Sequence, residues 1–396
     1  MIATPATRVG ALALAAAMAV AACGSSSSSP AAAASTGASS AAPSGAAPST
    51  QPSTGTGGIP TDIGKADQAQ ITGAGSTAIF PFLSTIADAY QKNVAPGVSV
   101  NYQSIGSGGG ISQFTAKTVD FGASDVAMTD QQEQAVGAPV LNIPMIHWAV
   151  AITYNLPDMS QALNFSPDTI AGIYLGTITK WNDQAIAADN PGVTLPNTDI
   201  TVAHRSDGSG TTYNFTSFLS GVSSTWKSQV GSGTSVNWPV GAGGKGSEGV
   251  TAIVTQTPGA IGYVELSYAL QNNLPVGSVK NAAGTFVKPS LESTTDAVAA
   301  AMPNAPADLR FLIVNPPADH PNAYPIGAST WVLLLKDYPA DKAAEIKAMV
   351  HFLWWGIHDG QSLAASVNYS AMAPGLVAKA EAALKSITVG GQPVLP

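Results

Sequence analysis

His204-Arg205-Ser206-Asp207-Gly208-Ser209-Gly210-Thr211-Thr212 is the stretch on which the reading of this chain turns. A β-prone run, Ile200–Ala203, leads into it, and Tyr213-Asn214-Phe215-Thr216-Ser217-Phe218-Leu219 continues it as a candidate helix. Two other turns have the same build. Ile71-Thr72-Gly73-Ala74-Gly75-Ser76-Thr77-Ala78 runs from a strand into a helix, and so does Tyr102-Gln103-Ser104-Ile105-Gly106-Ser107-Gly108-Gly109-Gly110-Ile111. At each turn the first N–H groups of a helix lack partners within it, and the positive end of its dipole points outward. Glycine lets an anion approach the backbone, and Ser and Thr hydroxyls add donors. That chemistry suits an anion site. Any one of these turns alone reads as an ordinary helix cap, for which Ser and Thr are the usual residues.

Outward from these turns the chain alternates short β-rich runs with helical patterns, an α/β organisation. Candidate strands are Gln70–Thr72, Val98–Gln103, His147–Tyr154, Ile200–Ala203, Ile261–Val264 and Trp331–Leu335. Ala78–Asn93 is a candidate helix with Ile79, Leu83, Ile86 and Tyr90 on one face. Asp341–His358 is another, with Ile346, Met349, Val350, Leu353 and Ile357 at helical spacing and Trp354 and Trp355 as core anchors. The folded part, about residues 68–396, favours two domains over one.

Composition narrows the function. Of 396 residues 10% are charged, 16 Lys+Arg against 24 Asp+Glu, for a net charge of −8. So few basic residues argue against nucleic acid, whose binding rests on phosphate neutralisation. A single cysteine, Cys23, excludes an internal disulfide and a thiolate cluster. No apolar run approaches the roughly 20 residues that span a bilayer.

Val9–Ala22 has signal-peptide length and ends Val20-Ala21-Ala22-Cys23-Gly24. It resembles a bacterial lipoprotein signal, in which small residues precede a cysteine that is lipidated. Residues 1–22 are thus expected to be removed, leaving Cys23 to anchor the chain to the membrane. Residues 23–67 are mostly Ser, Ala, Gly, Pro and Thr, and they read as a flexible tether with a reach of about 30–35 Å.

Several motifs point elsewhere and fail on detail. Gly73-x-Gly75-x-x-Ala78 fits a loose dinucleotide fingerprint, but no acidic residue follows near Asn101 to hold a ribose. Gly243-Gly244-Lys245-Gly246-Ser247 lacks Walker A spacing, and no G-x-S-x-G elbow occurs. The histidines, at 147, 204, 320, 351 and 358, show no metalloenzyme spacing. No catalytic residue, metal site or cofactor is expected.

Together the turns and their surroundings resemble the substrate-binding lipoproteins of bacterial phosphate-specific ABC transporters. The matching segments run in family order: ITGAGST, VNYQSIGSGGGI, TVDFGASD, IYLGTITKWND, HRSDGSGTTYNFTSFL, VNWPVGAGGKGSEGV, PGAIGYVEL and YPIGAST. They cover the chain from Gln70 to about Pro374. The resemblance implies an α/β fold, the two-lobed periplasmic-binding-protein fold (type II), with mixed sheets flanked by helices and the ligand in the inter-lobe cleft. Residues 68–150 and 323–396 would form one lobe, and residues 151–322 the other.

The family's phosphate ligands fall on Thr77, Ala78, Ser107, Asp125, Arg205, Ser209, Gly210 and Thr211. Thr77 and Ser107 would give hydroxyl donors, Ala78 a backbone N–H, and Arg205 the one full positive charge. Ser209, Gly210 and Thr211 would line up donors at a helix start. Asp125 would be the one acceptor, taking the proton that phosphate keeps and sulfate lacks. Asp207 would orient Arg205. Many members have Phe-Pro directly after the threonine, whereas this chain has Ala78-Ile79-Phe80-Pro81.

The implied function is extracytoplasmic capture of inorganic phosphate by a lipid-anchored monomer. The partners would be the permease and ATPase subunits of the importer. A phosphate-ester hydrolase, or a surface sensor or adhesin on the same fold, is the alternative.

Overall fold

The computed structural model describes residues 68–396; the signal-like stretch, Cys23 and the tether lie outside the described residues. The main sheet has eight strands: β1 (Ala69–Gly75), β2 (Val98–Ser104), β3 (Phe121–Ser124), β4 (Val140–Tyr154), β5 (Thr201–Arg205), β6 (Ala242–Gly244), β7 (Ala260–Glu265) and β8 (Gly327–Leu335). They lie in the order β2-β1-β3-β8-β4-β7-β5-β6. Strands β2, β1 and β3 are parallel neighbours, as are β7, β5 and β6. The middle of the sheet is antiparallel: β8 runs against both β3 and β4, and β4 runs against β7.

Strand β4 joins the two halves. Val140 to Ala149 pair with β8, and from Val150 to Tyr154 the partner is β7. Its apolar run is buried almost throughout, as expected for a strand covered on both faces. The strand starts at Val140, earlier than the His147 that the sequence pattern suggests, and carries Pro144 in its interior, where proline is uncommon. Pro144 lies opposite Trp331, beside a register shift between Thr330 and Trp331, and such irregularities accommodate a missing N–H.

Helices α1 (Phe80–Asn93), α2 (Ser107–Thr115), α3 (Gly210–Val222) and α4 (Gly246–Gln256) follow β1, β2, β5 and β6. Helix α1 starts two residues later than its apolar spacing suggests, and buries Phe82, Leu83, Ile86 and Tyr90. Helix α5 (Ala343–Ile357) is buried along most of its length. Its Phe352 and Trp355 rings pack 5.4 and 5.5 Å from that of Tyr90, so α1 and α5 share one core. Trp354 and Trp355 are buried, as core anchors should be.

Candidate functional site

Each turn opens at the carboxyl end of a parallel strand, the edge where open α/β sheets bind ligands. The turns after β1 and β2 face those after β5 and β6. Gly108 N–H donates to Gly208 O at 2.8 Å, and Gly210 N–H donates to Ser107 Oγ at 3.1 Å. Thr77 Oγ1 lies 2.7 Å from Ser247 Oγ. Small residues make the approach feasible: a Cβ on Gly210 would stand 2.5 Å from Asp125 Cβ and 2.7 Å from Ser107 Oγ. Gly106, at φ +84°, takes a backbone conformation costly for any other residue, and a Cβ there would collide with Asp207 Oδ2.

Arg205 ends β5 and is buried. Its Nε and Nη2 donate to Asp207 Oδ1 and Oδ2 at 2.8 and 2.5 Å, and Nη1 reaches Ser247 Oγ at 3.4 Å. Burial opposes the guanidinium's charge, but Asp207, aided by the charge of Glu265 and by Tyr263, more than offsets this and raises its pKa. Burial pushes Asp207 up in turn, yet its bonds and pairing with Arg205 hold it below the ordinary carboxylate range. A two-pronged contact of this kind fixes the plane of the guanidinium.

Asp125 follows β3 and is 2% exposed. Its Oδ1 accepts from Ser76 Oγ at 2.5 Å and Thr330 Oγ1 at 2.6 Å, and its Oδ2 from Ser107 Oγ at 3.1 Å. Burial pushes its pKa to about 6, against the pull of these hydroxyls and aided by the nearby Glu265 carboxyl. Asp125 is thus a buried acid that holds its proton more tightly than an ordinary carboxyl.

Ser209 caps α3, its side chain accepting from Thr212 N–H at 3.1 Å. Thr211 Oγ1 lies 2.6 Å from Glu265 Oε1. The N–H of Ala78 donates to Ser76 Oγ at 3.0 Å. Thr77, Ala78, Ser107, Asp125, Arg205, Ser209, Gly210 and Thr211, with the half-buried Asp207, therefore share one cluster spanning both halves of the sheet.

Four residues of the cluster carry no role in the sequence reading: Ser76, Ser247, Glu265 and Thr330. Ser247, Glu265 and Thr330 lie within family-like segments, in GGKGSEGV, PGAIGYVEL and YPIGAST, but nothing local marks them as site residues. Ser76 has the clearest signal, standing in the first turn one residue before Thr77.

The arrangement is that of a binding protein: hydroxyls, one guanidinium and helix-start N–H groups tied together across two half-sheets, with the chain's fold that of the periplasmic binding proteins. A family model described as a PBP superfamily domain matches residues 60–353. The phosphate-binding protein PstS of Xylella fastidiosa is 42% identical over 329 residues, covering 83% of this chain and 88% of its own length. That of Methanocaldococcus jannaschii is 39% identical over 295 residues, covering 69% and 74%. The chain belongs to the PBP superfamily and, within it, to this family of phosphate-binding proteins. Among solved structures, a phosphate-binding protein from Stenotrophomonas maltophilia superposes with a TM-score of 0.59 at 18% identity, over 79% of this chain and 93% of that one. A substrate-binding protein from Clostridium perfringens gives 0.56 at 17%, over 77% and 100%. At these identities the likeness is one of fold.

Proposed function

We propose that this chain captures inorganic phosphate outside the cytoplasm and hands it to an ABC importer, with the importer's permease and ATPase subunits as partners. The observation that carries the reading is the buried cluster itself. Arg205 supplies one full positive charge, held in orientation by Asp207, and hydroxyl and helix-start donors surround it from both halves of the sheet. The curated relatives, named phosphate-binding proteins at about two fifths identity, support phosphate as the anion.

Thr77, Ala78, Ser107, Arg205, Ser209, Gly210 and Thr211 act as the donors to phosphate. Charge-assisted hydrogen bonds contribute about 1.5–3 kcal/mol each. Together they exceed the roughly 8 kcal/mol of a micromolar complex, which leaves room for desolvation. Binding frees Ala78 N–H from Ser76 Oγ and Ser107 Oγ from its present partners. Asp125 is the acceptor: the protonated phosphate oxygen donates a hydrogen bond to its carboxylate, which repels sulfate, an anion with no proton to give.

Residues 68–150 and 323–396 form one lobe and 151–322 the other, a division supported by the change of partner along β4 at Val150. The lobes close on the anion, and the site binds and releases it without turnover. The protein works as a monomer, tethered to the outer face of the cell membrane by a lipid on Cys23.

Calorimetry on the full chain tests the reading. Phosphate and arsenate should bind at micromolar concentration or below, and sulfate far more weakly. Equal affinity for sulfate, or no phosphate binding, would overturn it.

A further inference from the structure

The cluster buries two acids, and their surroundings differ. Asp125 accepts from three hydroxyls. Glu265, at the end of β7, is fully buried; Thr211 Oγ1 lies 2.6 Å from its Oε1, and the Ser247 hydroxyl is its other hydroxyl neighbour. Its other oxygen, Oε2, has no hydrogen-bond partner. Among the described residues no ion pair joins it to Arg205, whose guanidinium is engaged by Asp207. An ionised carboxylate in this position would be a buried charge with half its acceptor capacity unmet, which is costly.

The Thr211–Glu265 contact allows two proton arrangements. If Glu265 is ionised, Thr211 must give its hydroxyl proton to it, and only oxygen lone pairs remain for an anion to meet. If Glu265 is protonated, its O–H donates to Thr211 Oγ1, and the Thr211 proton is free to point at the anion. The second arrangement also removes a negative charge from beside a ligand that carries up to two.

We propose that Glu265 is held protonated when phosphate occupies the cleft, and that it acts through Thr211 as a positioning residue, turning that hydroxyl into a donor. The proposal rests on the phosphate reading above. The proton comes from solvent when the free protein lacks it and returns there on release, and no other bond changes. Burial raises the proton affinity of Glu265, opposed by the Arg205 charge and by the Thr211 and Ser247 hydroxyls. The Glu265 charge in turn disfavours ionisation of Asp125. Tyr268 and Tyr369 also feel the Glu265 charge and are driven further toward their neutral forms.

Infrared spectroscopy on the full chain with phosphate bound at about pH 8, taken as the difference between the wild-type and Glu265→Gln complexes, reads this directly. The wild-type complex should show the carbonyl stretch of a protonated carboxylic acid, and that band should be missing from Glu265→Gln. Glu265→Gln, whose amide can also donate to Thr211, should keep phosphate affinity near wild type. Glu265→Ala should lose about tenfold, the worth of one hydrogen bond to an anion. Identical spectra for wild type and Glu265→Gln overturn the proposal even if Glu265→Ala weakens binding, since a purely structural role predicts that loss too. Should Glu265→Gln fail to fold, Thr211→Val must shift the band, because it removes the acceptor of that proton; an unshifted band overturns the proposal. Failure of wild type to bind phosphate would instead sink the phosphate reading.

Discussion

Asp125→Asn separates the charge of the buried acceptor from its shape. Burial carries the Asp125 pKa from 3.8 to about 6. A shift of about 2 units corresponds to roughly 3 kcal/mol. Because the folded protein holds this proton more tightly than the unfolded chain, the group's contribution is most favourable below about pH 4. It is lost as pH rises through about 6. Without ligand, Asp125→Asn should therefore resist denaturant better than wild type at about pH 8, by up to roughly 3 kcal/mol, and the advantage should fade toward pH 4. Binding should change in the opposite sense for phosphate. An amide oxygen still accepts the phosphate proton but without charge assistance, a loss of about tenfold, while sulfate loses a repulsion and gains a donor worth about as much. The phosphate-to-sulfate affinity ratio should fall by about 100-fold, measured by calorimetry at neutral pH. In wild type the same ratio should decline as pH drops through about 6, where Asp125 takes its own proton. A ratio unchanged by the substitution would refute the acceptor role.

Arg205→Ala should weaken phosphate and sulfate alike by about 100-fold or more in calorimetry, because it removes charge that both anions use. Gly210→Ala brings a Cβ to 2.5 Å from Asp125 Cβ, so phosphate affinity should drop at least about tenfold while circular dichroism stays native. Trp181 is fully buried, packs on Tyr154 and donates to Gly259 O, so Trp181→Ala should cost about 3–5 kcal/mol in denaturant unfolding. Cys23→Ala should move the protein from the membrane fraction to the soluble one, since two acyl chains are what stable anchoring takes.

What the sequence disclosed follows from how local each signal is. The strand-to-helix turns at Gly73–Ala78, Gly106–Ile111 and Ser206–Thr212 are contiguous, and glycine beside Ser or Thr marks them without help from the fold. The stripes of α1 and α5 were equally legible, because burial of one helix face writes itself into i, i+3 and i+4 spacing. The first half of strand β4, before His147, is not legible locally: it contains Pro144, which the sheet accommodates only at the irregularity opposite Trp331. Thr330 and Glu265 were silent for a different reason. Thr330 reaches Asp125 across 205 positions, and Glu265 reaches Thr211 across 54. Nothing in their own neighbourhoods distinguishes them from the buried polar residues of any strand end. Ser247 is silent in the same way: its loop reads as a family-like segment without marking that serine, and its partners Thr77 and Arg205 come from the turns after β1 and β5.

A crystal structure of the full chain grown with phosphate tests the central claim most directly. The account predicts one tetrahedral anion among Arg205, Thr77, Ser107, the N–H of Gly210 and one oxygen of Asp125, each at hydrogen-bond distance. Phosphate bound elsewhere, or held in this cleft without Arg205 and Asp125 in contact, would contradict it.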